Sequence, residues 1–181
     1  MNESILMTGC AADAEAALVL KRLRGEMETH FPSFFRARIR PDGFCPPLEE
    51  ELAAAALLLR GAEEIAGPLK PACMIPCGRG GVLKALWDLG ETLSSGMEIS
   101  IRKIPIRQET VEICEYCDID PYYADTSGSL LIAVHDPDAL LVKLRGARIP
   151  AAVIGAAVPG KARLIRYPGH VRCLDKPRRF M

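Results

Sequence analysis

Between Ser129 and His135 the chain reads Ser-Leu-Leu-Ile-Ala-Val-His, five apolar residues with no polar break. A strand covered on one face alternates apolar and polar side chains, whereas an unbroken run belongs to a strand with packing on both sides. The chain is therefore expected to build a sheet with layers on both faces. Shorter strand signals flank this run: Ser4 to Thr8, Ala72 to Ile75, Met97 to Ile101, Ala151 to Ala156, Arg163 to Tyr167 and Val171 to Leu174. Helical periods lie between them. Ala16, Val19, Leu20, Leu23 and Met27 predict a first helix to about Glu28. Leu48, Leu52, Ala55 and Leu59 predict a second to about Ala66, with Glu49, Glu50 and Glu51 in its dipole-favoured first turn. Leu83, Leu86, Trp87 and Leu93 share the face of a third, stopped by Gly96, and Glu109 to Cys117 is a short fourth. Asp136, Pro137 and Gly146 supply an N-cap, a first-turn proline and a C-terminal glycine for a fifth. The segment His30 to Pro47, rich in proline and phenylalanine, reads as a loop packed by its aromatics. The expected fold class is α/β or α+β, one domain over residues 1–181 with a mixed β-sheet flanked by helices.

Composition excludes several classes. With 181 residues the chain can bury roughly 70% of its unfolded surface in one core. Hydrophobic residues make up 49%, charged residues 25%, and Lys+Arg equal Asp+Glu at 23 each, which argues against disorder and against a wholesale nucleic-acid binder. The longest charge-free apolar stretch, Ile149 to Gly160, is too short for a bilayer span. The N-terminus lacks the basic and apolar regions of a signal peptide, so the cytoplasm is the expected compartment. Seven cysteines at uneven spacing make a poor disulfide framework and are expected to be reduced. Residues 161–181 carry seven basic residues against Asp175, a strip that suits either RNA or phosphate, or simply a solvated edge.

The turn Gly78-Arg79-Gly80-Gly81 carries the strongest local chemistry. Glycines at a helix N-terminus expose backbone amides and the positive end of the dipole to an anion, so Gly78, Arg79, Gly80 and Gly81 are the candidate ligand-binding residues. Phosphate or a nucleotide is the ligand class to consider, and no other cofactor is expected. The turn has neither a phosphate-loop lysine nor dinucleotide-fingerprint spacing, and tight strand-to-helix packing would also select these glycines. Cys77, beside the helix N-terminus and Arg79, could be a lowered-pKa thiol, but His30, His135 and His170 are scattered and no activating pair is visible. No catalytic residue is assigned. Cys73, Cys77, Cys114 and Cys117 are the only candidates for a thiolate metal or redox site, against which stands a core role for helical cysteines. Asp118, Asp120 and Asp125 could hold a cation or cap turns.

Three further stretches bring a family into view: Gly80-Gly81-Val82-Leu83-Lys84-Ala85-Leu86-Trp87-Asp88-Leu89, Lys103-Ile104-Pro105-Ile106-Arg107-Gln108-Glu109-Thr110-Val111-Glu112-Ile113-Cys114, and Ser127-Gly128-Ser129-Leu130-Leu131-Ile132-Ala133. With Pro150-Ala151-Ala152-Val153-Ile154-Gly155 they occur in the order found in the C-terminal domain of the AIR synthase (aminoimidazole ribonucleotide synthase) superfamily. The chain resembles that domain best over residues 75–176, in particular the hydrogenase maturation factor and AIR-synthase-related branches. The resemblance implies a mixed sheet flanked by helices, joined in relatives to an N-terminal domain that supplies the ATP-binding residues and most of the dimer interface. Met1 to Gly9 already resembles the opening strand of the C-terminal domain, so that N-terminal domain is expected to be absent. Relatives commonly read His-Asp-x-Thr-x-Gly-Gly where this chain has Ile75-Pro76-Cys77-Gly78-Arg79-Gly80-Gly81, keeping the glycines and losing the acid and hydroxyl. The terminal cysteine of hydrogenase maturation proteins is replaced by Pro177-Arg178-Arg179-Phe180-Met181, and Leu174-Asp175-Lys176-Pro177 resembles the AIR-synthase-related branch. The expectation is a domain that is not an enzyme alone and that binds a partner protein or a phosphorylated ligand. Its alternative is a subunit of a split ATP-dependent synthase or maturation enzyme. The partner would be a second copy, as a homo-oligomer (dimer), or a separate N-terminal-domain chain; neither a membrane nor nucleic acid is expected.

Overall fold

The computed structural model describes residues 3–23, 30–33, 71–146 and 149–177. The helix expected over Leu48 to Ala66, most of the His30 to Pro47 loop and Cys45 lie outside the described residues. In chain order the elements are β1 (Ser4–Thr8), α1 (Asp13–Arg22), β2 (Cys73–Pro76), α2 (Gly81–Leu93), β3 (Gly96–Ser100), a 3-10 turn (Ile101–Lys103), α3 (Gln108–Tyr116), β4 (Leu130–Val134), α4 (Pro137–Gly146), β5 (Ala151–Val158), β6 (Arg163–Tyr167) and β7 (His170–Cys173). The strands form one sheet in the order β2-β4-β1-β5-β3-β6-β7. Among the described residues only β3 and β6 pair in parallel; every other neighbour is antiparallel.

The unbroken apolar run is β4, and it is buried at every residue because it sits inside the sheet between β2 and β1 with packing on both faces. Leu131 and Ala133 join Ile5, Met7, Met97, Ile99, Ile154 and Ile165 beneath α2, which contributes Val82, Leu86 and Leu89. Leu130, Ile132 and Val134 turn the other way with Leu6, onto Leu140 and Leu144 of α4. Each wholly buried Leu or Ile here stabilises the fold by about 1.5–3 kcal/mol. The α1 and α3 helices pack on each other through Ala16, Val19 and Ile113. Phe31 and His30 meet the Tyr116 ring at 5.4 and 4.8 Å, so the start of the phenylalanine-rich segment packs by its aromatics.

One helix end differs in detail from expectation. The α2 helix stops at Ser94, whose φ of 51° takes the left-handed turn; Gly96 instead opens β3, where a Cβ would lie 2.6 Å from the Ala162 carbonyl oxygen. The α4 cap is as expected: the Ala139 amide donates to Asp136 Oδ1 at 3.1 Å. No helix among the described residues is long and apolar enough to cross a membrane.

Candidate functional site

Four loops gather at one end of the sheet, and hydrogen bonds tie them together. The Cys77 amide donates to the Ser129 carbonyl (2.9 Å), Thr126 N to the Gly78 carbonyl (3.3 Å), Ala11 N to the Pro105 carbonyl (2.8 Å) and Glu15 N to the Asp125 carbonyl (3.1 Å). Side chains add further ties. Ser129 Oγ donates to the Cys10 carbonyl, and the Leu130 amide donates to Thr8 Oγ1. Beneath them Asp13, 3% exposed in the first turn of α1, accepts from Thr110 Oγ1 at 2.6 Å and pairs with Arg107 Nε at 3.1 Å. A carboxylate so buried requires such partners.

The glycine turn sits in this cluster, and its four residues do different work. Gly80 (φ 94°) and Gly81 (φ 71°) both take the left-handed conformation, which disfavours a side chain. Gly81 is also wedged against the backbone of Tyr122 and Tyr123. Its amide folds back onto the Gly78 carbonyl at 3.0 Å, and the Leu83 amide is taken by the Tyr122 carbonyl at 3.3 Å. Two amides of the α2 N-terminus are thus satisfied within the chain. Gly78 is roomier, with Ser127 Oγ as the nearest group to a built Cβ at 3.8 Å, and Arg79 is exposed.

Beside Gly80 lies a cavity of about 360 Å³ lined by Leu83, Lys84, Tyr123, Asp175, Lys176 and Pro177. Lys84 pairs with Asp88 at 2.6 Å. Burial first, then the charges of Asp120 and Asp175, push the Tyr123 hydroxyl up; Tyr122 is pushed up by burial, then by Tyr167 and Asp120. Both phenols are therefore neutral donors near pH 7. Sequence reading missed Lys84, Tyr123 and Lys176 because the chain after β7 reaches Gly80 only through the tertiary fold.

The acidic and thiol candidates resolve plainly. Asp120 accepts from the Tyr122 amide, and Asp125 accepts from the Ser127 amide and hydroxyl, so both serve turns. Cys73 and Cys77 lie in the α2 core, while Cys114 packs with Ala12 and Ala124 and Cys117 against the α1 and α3 core. The four cysteines are not brought together, and among the described residues no group of three or more His, Cys, Asp or Glu could hold a metal. The residues present at the glycine turn do not fit a metal-bound triphosphate by themselves: Pro76 and Gly78 offer no oxygen side chain, and the nearby Asp125 carboxylate is held by Ser127.

Burial lifts the Cys77 thiol to about 12, and burial followed by the charges of Cys117 and nearby carboxylates lifts Cys114 to about 11. Neither is a nucleophile near neutrality. Native protein is expected to leave both unlabelled by iodoacetamide at about pH 8 while exposed Cys173 reacts. The folded pKa values lie above the ordinary 9.0, so the stability they carry is full below that pH and declines as pH rises toward 11 to 12. A melting temperature that falls over this window, and falls less in Cys77→Ala, checks the sign.

Residues 48–166 match the family described as AIR synthase related protein, C-terminal domain. A curated relative, carbamoyl dehydratase HypE of Rhodobacter capsulatus, is 33% identical over 94 residues, which are 52% of this chain and 27% of the relative. Hydrogenase maturation protein HypE solved in complex with ATP superposes at a TM-score of 0.69 with 17% identity, over 98% of this chain and 51% of that one. HypE from a HypE-HypF complex gives 0.62 with 21% identity, over 97% and 53%. The chain thus spans about half the length of these solved structures and about a quarter of that curated relative. The chain belongs to the AIR synthase related protein, C-terminal domain family.

Proposed function

We infer that these 181 residues act as a binding domain that does not carry out ATP chemistry alone. Their loop end contributes one wall of a site completed by a second domain of the kind that precedes this one in HypE-like proteins. A phosphorylated group would lie at the junction, against Gly78, Arg79 and Gly80 and the ammonium groups of Lys84 and Lys176. The carrying observation is the internal satisfaction of the turn: Gly78 and Tyr122 carbonyls consume two α2 amides, and Asp125 Oδ1 already accepts from the Ser127 amide and hydroxyl. What remains beside Gly80 is a lining of two lysines against one carboxylate, Asp175, net positive and suited to holding an anion. The kinship with HypE, solved both with ATP and with HypF, supports a partner-dependent role. The second reading, a subunit of a split maturation or synthase enzyme, follows if the completing domain restores turnover.

Calorimetry and a phosphate-release assay on the purified chain test this. ATP alone is expected to give no turnover, and adding the N-terminal half of a HypE relative is expected to give a saturable complex weakened by Lys84→Gln with Lys176→Gln. Hydrolysis by the isolated chain near an ordinary enzymatic rate, about 1 s⁻¹ or faster, would overturn the proposal.

A further inference from the structure

At the other end of α2, about 15 Å from the glycine turn at 1.5 Å per residue, a second cavity opens. It measures about 540 Å³, and its lining includes Trp87, Glu91, Ser95, Lys161, Arg163 and Leu174. Among the described residues, two buried side-chain polar atoms lack a hydrogen-bond partner, Ser95 Oγ and Arg163 Nε, and both belong to residues of this lining. Buried polar atoms are nearly always satisfied, so two orphans behind one cavity wall single out this place, and the terminal nitrogens of Arg163 are the part of it that a ligand can reach.

Arg163 is the centre of it. Its side chain is 10% exposed, yet it reaches the cavity wall with its guanidinium 4.2 Å from the Trp87 ring centroid. Gly90 makes this approach available: a Cβ there would meet the Met97 methyl at 2.8 Å and the guanidinium itself. Nη2 binds Glu91, whose side chain is 62% exposed, at 2.5 Å. An ion pair with one solvated partner is weak and exchangeable. Nη1 carries no partner among the described residues. Lys161 adds a second cation, this one exposed, so the lining is net positive, while Trp87, Ala162 and Leu174 supply apolar wall.

We propose that this cavity binds a small amphiphilic carboxylate, whose anionic end displaces Glu91 from Arg163 and whose apolar body lies along Trp87 and Leu174. Glu91 already shows the group the guanidinium takes. With Nε buried, the two terminal nitrogens form an end-on fork for a two-oxygen anion, and the apolar wall of Trp87, Ala162 and Leu174 favours a carboxylate carrying a hydrocarbon body over free phosphate. The net charge of two cations and one acid also matches a monoanion.

Trp87 is the single tryptophan of the chain, so its emission reports this cavity alone. Titration with hexanoate is expected to give a saturable change. Hexan-1-ol and inorganic phosphate, each lacking one half of the recognised chemistry, are expected to bind at least about tenfold more weakly. Arg163→Met is expected to abolish the response. Because that change also uncovers Trp87, Glu91→Gln decides independently: with the internal competitor neutralised, hexanoate should bind roughly threefold more tightly. Lys84→Gln, at the glycine turn, should leave the titration unchanged, which separates this site from the one proposed above. No saturable change up to about 10 mM hexanoate, an equal response to phosphate, or an unaltered midpoint in Glu91→Gln would overturn the assignment. Tighter binding of an acidic peptide than of hexanoate would overturn it in favour of a protein partner.

Discussion

Alanine at Gly81 is expected to destabilise the fold by about 3–5 kcal/mol, enough to remove much of the stability of an ordinary domain. Two independent effects add. With φ at 71° the residue is left-handed, a conformation that costs a side-chain-bearing residue about 1–2 kcal/mol. The larger part comes from the neighbour: a Cβ would overlap the Tyr122 carbonyl oxygen and approach Tyr123 Cα to 2.7 Å. Those are backbone atoms held by the Leu83 and Tyr122 hydrogen bonds, so they cannot step aside as a flexible side chain would. Gly80→Ala is a graded control, because φ is again positive at 94° but the nearest obstacle is the side chain of Lys84. Gly146→Ala is the null control, with no atom within 4 Å of a built Cβ. Urea unfolding should rank the midpoints Gly146→Ala, Gly80→Ala, Gly81→Ala from highest to lowest, with a fall of about 2 M for the last. An unchanged midpoint in Gly81→Ala would mean that the Tyr122–Tyr123 loop is not where α2 begins.

That ranking also shows what can be read from a sequence and what cannot. The glycine turn was visible because strand, glycines and helical period follow each other locally. The strand character of Leu130 to Val134 was visible because continuous apolarity leaves few alternatives to burial on both faces. The order of the strands was not legible, since β1 lies between β4 and β5 and a parallel pair joins β3 to β6, placements decided by long-range packing. The site suffered the same loss. Gly81 was visible as an amide donor to a ligand, but its contact with Tyr122 depends on a loop brought to it by the fold. Lys176 reaches Gly80 after the chain has passed through β7. Trp87 looked like a core position of α2, and its pairing with Arg163 has no local signature at all. Chemistry made by neighbours along the chain can be anticipated from spacing; chemistry made across the sheet requires the register.

Thr126→Val is expected to have the second large effect, about 2–4 kcal/mol, although it changes neither shape nor apolar burial. Thr126 is wholly buried, and its hydroxyl is shared by two loops: it accepts from the Ala12 amide at 3.1 Å and donates to the Ala124 carbonyl at 3.0 Å. Ala12 begins α1 in a left-handed conformation (φ 60°) without a side-chain cap of its own. The threonine therefore supplies, from 114 residues away, the acceptor for the N-cap amide that a Glu or Gln side chain in the first turn provides in a capping box. Valine keeps the volume and strands both backbone groups away from water, where each orphan costs about 1–3 kcal/mol. Serine restores the hydroxyl and should recover most of the loss, a result that a purely steric role would not produce. At about 2–4 °C per kcal/mol for a chain of this size, the valine variant should melt roughly 4–16 °C lower. The damage should also be local: hydrogen exchange should accelerate first at Ala12 and the opening turn of α1, then at the Thr126 amide held by Gly78. Since that amide links the Thr126 loop to the glycine turn, loosening it tests whether the turn's geometry is imposed by the surrounding loops. Equal protection in wild type and valine variant would show that the turn holds itself.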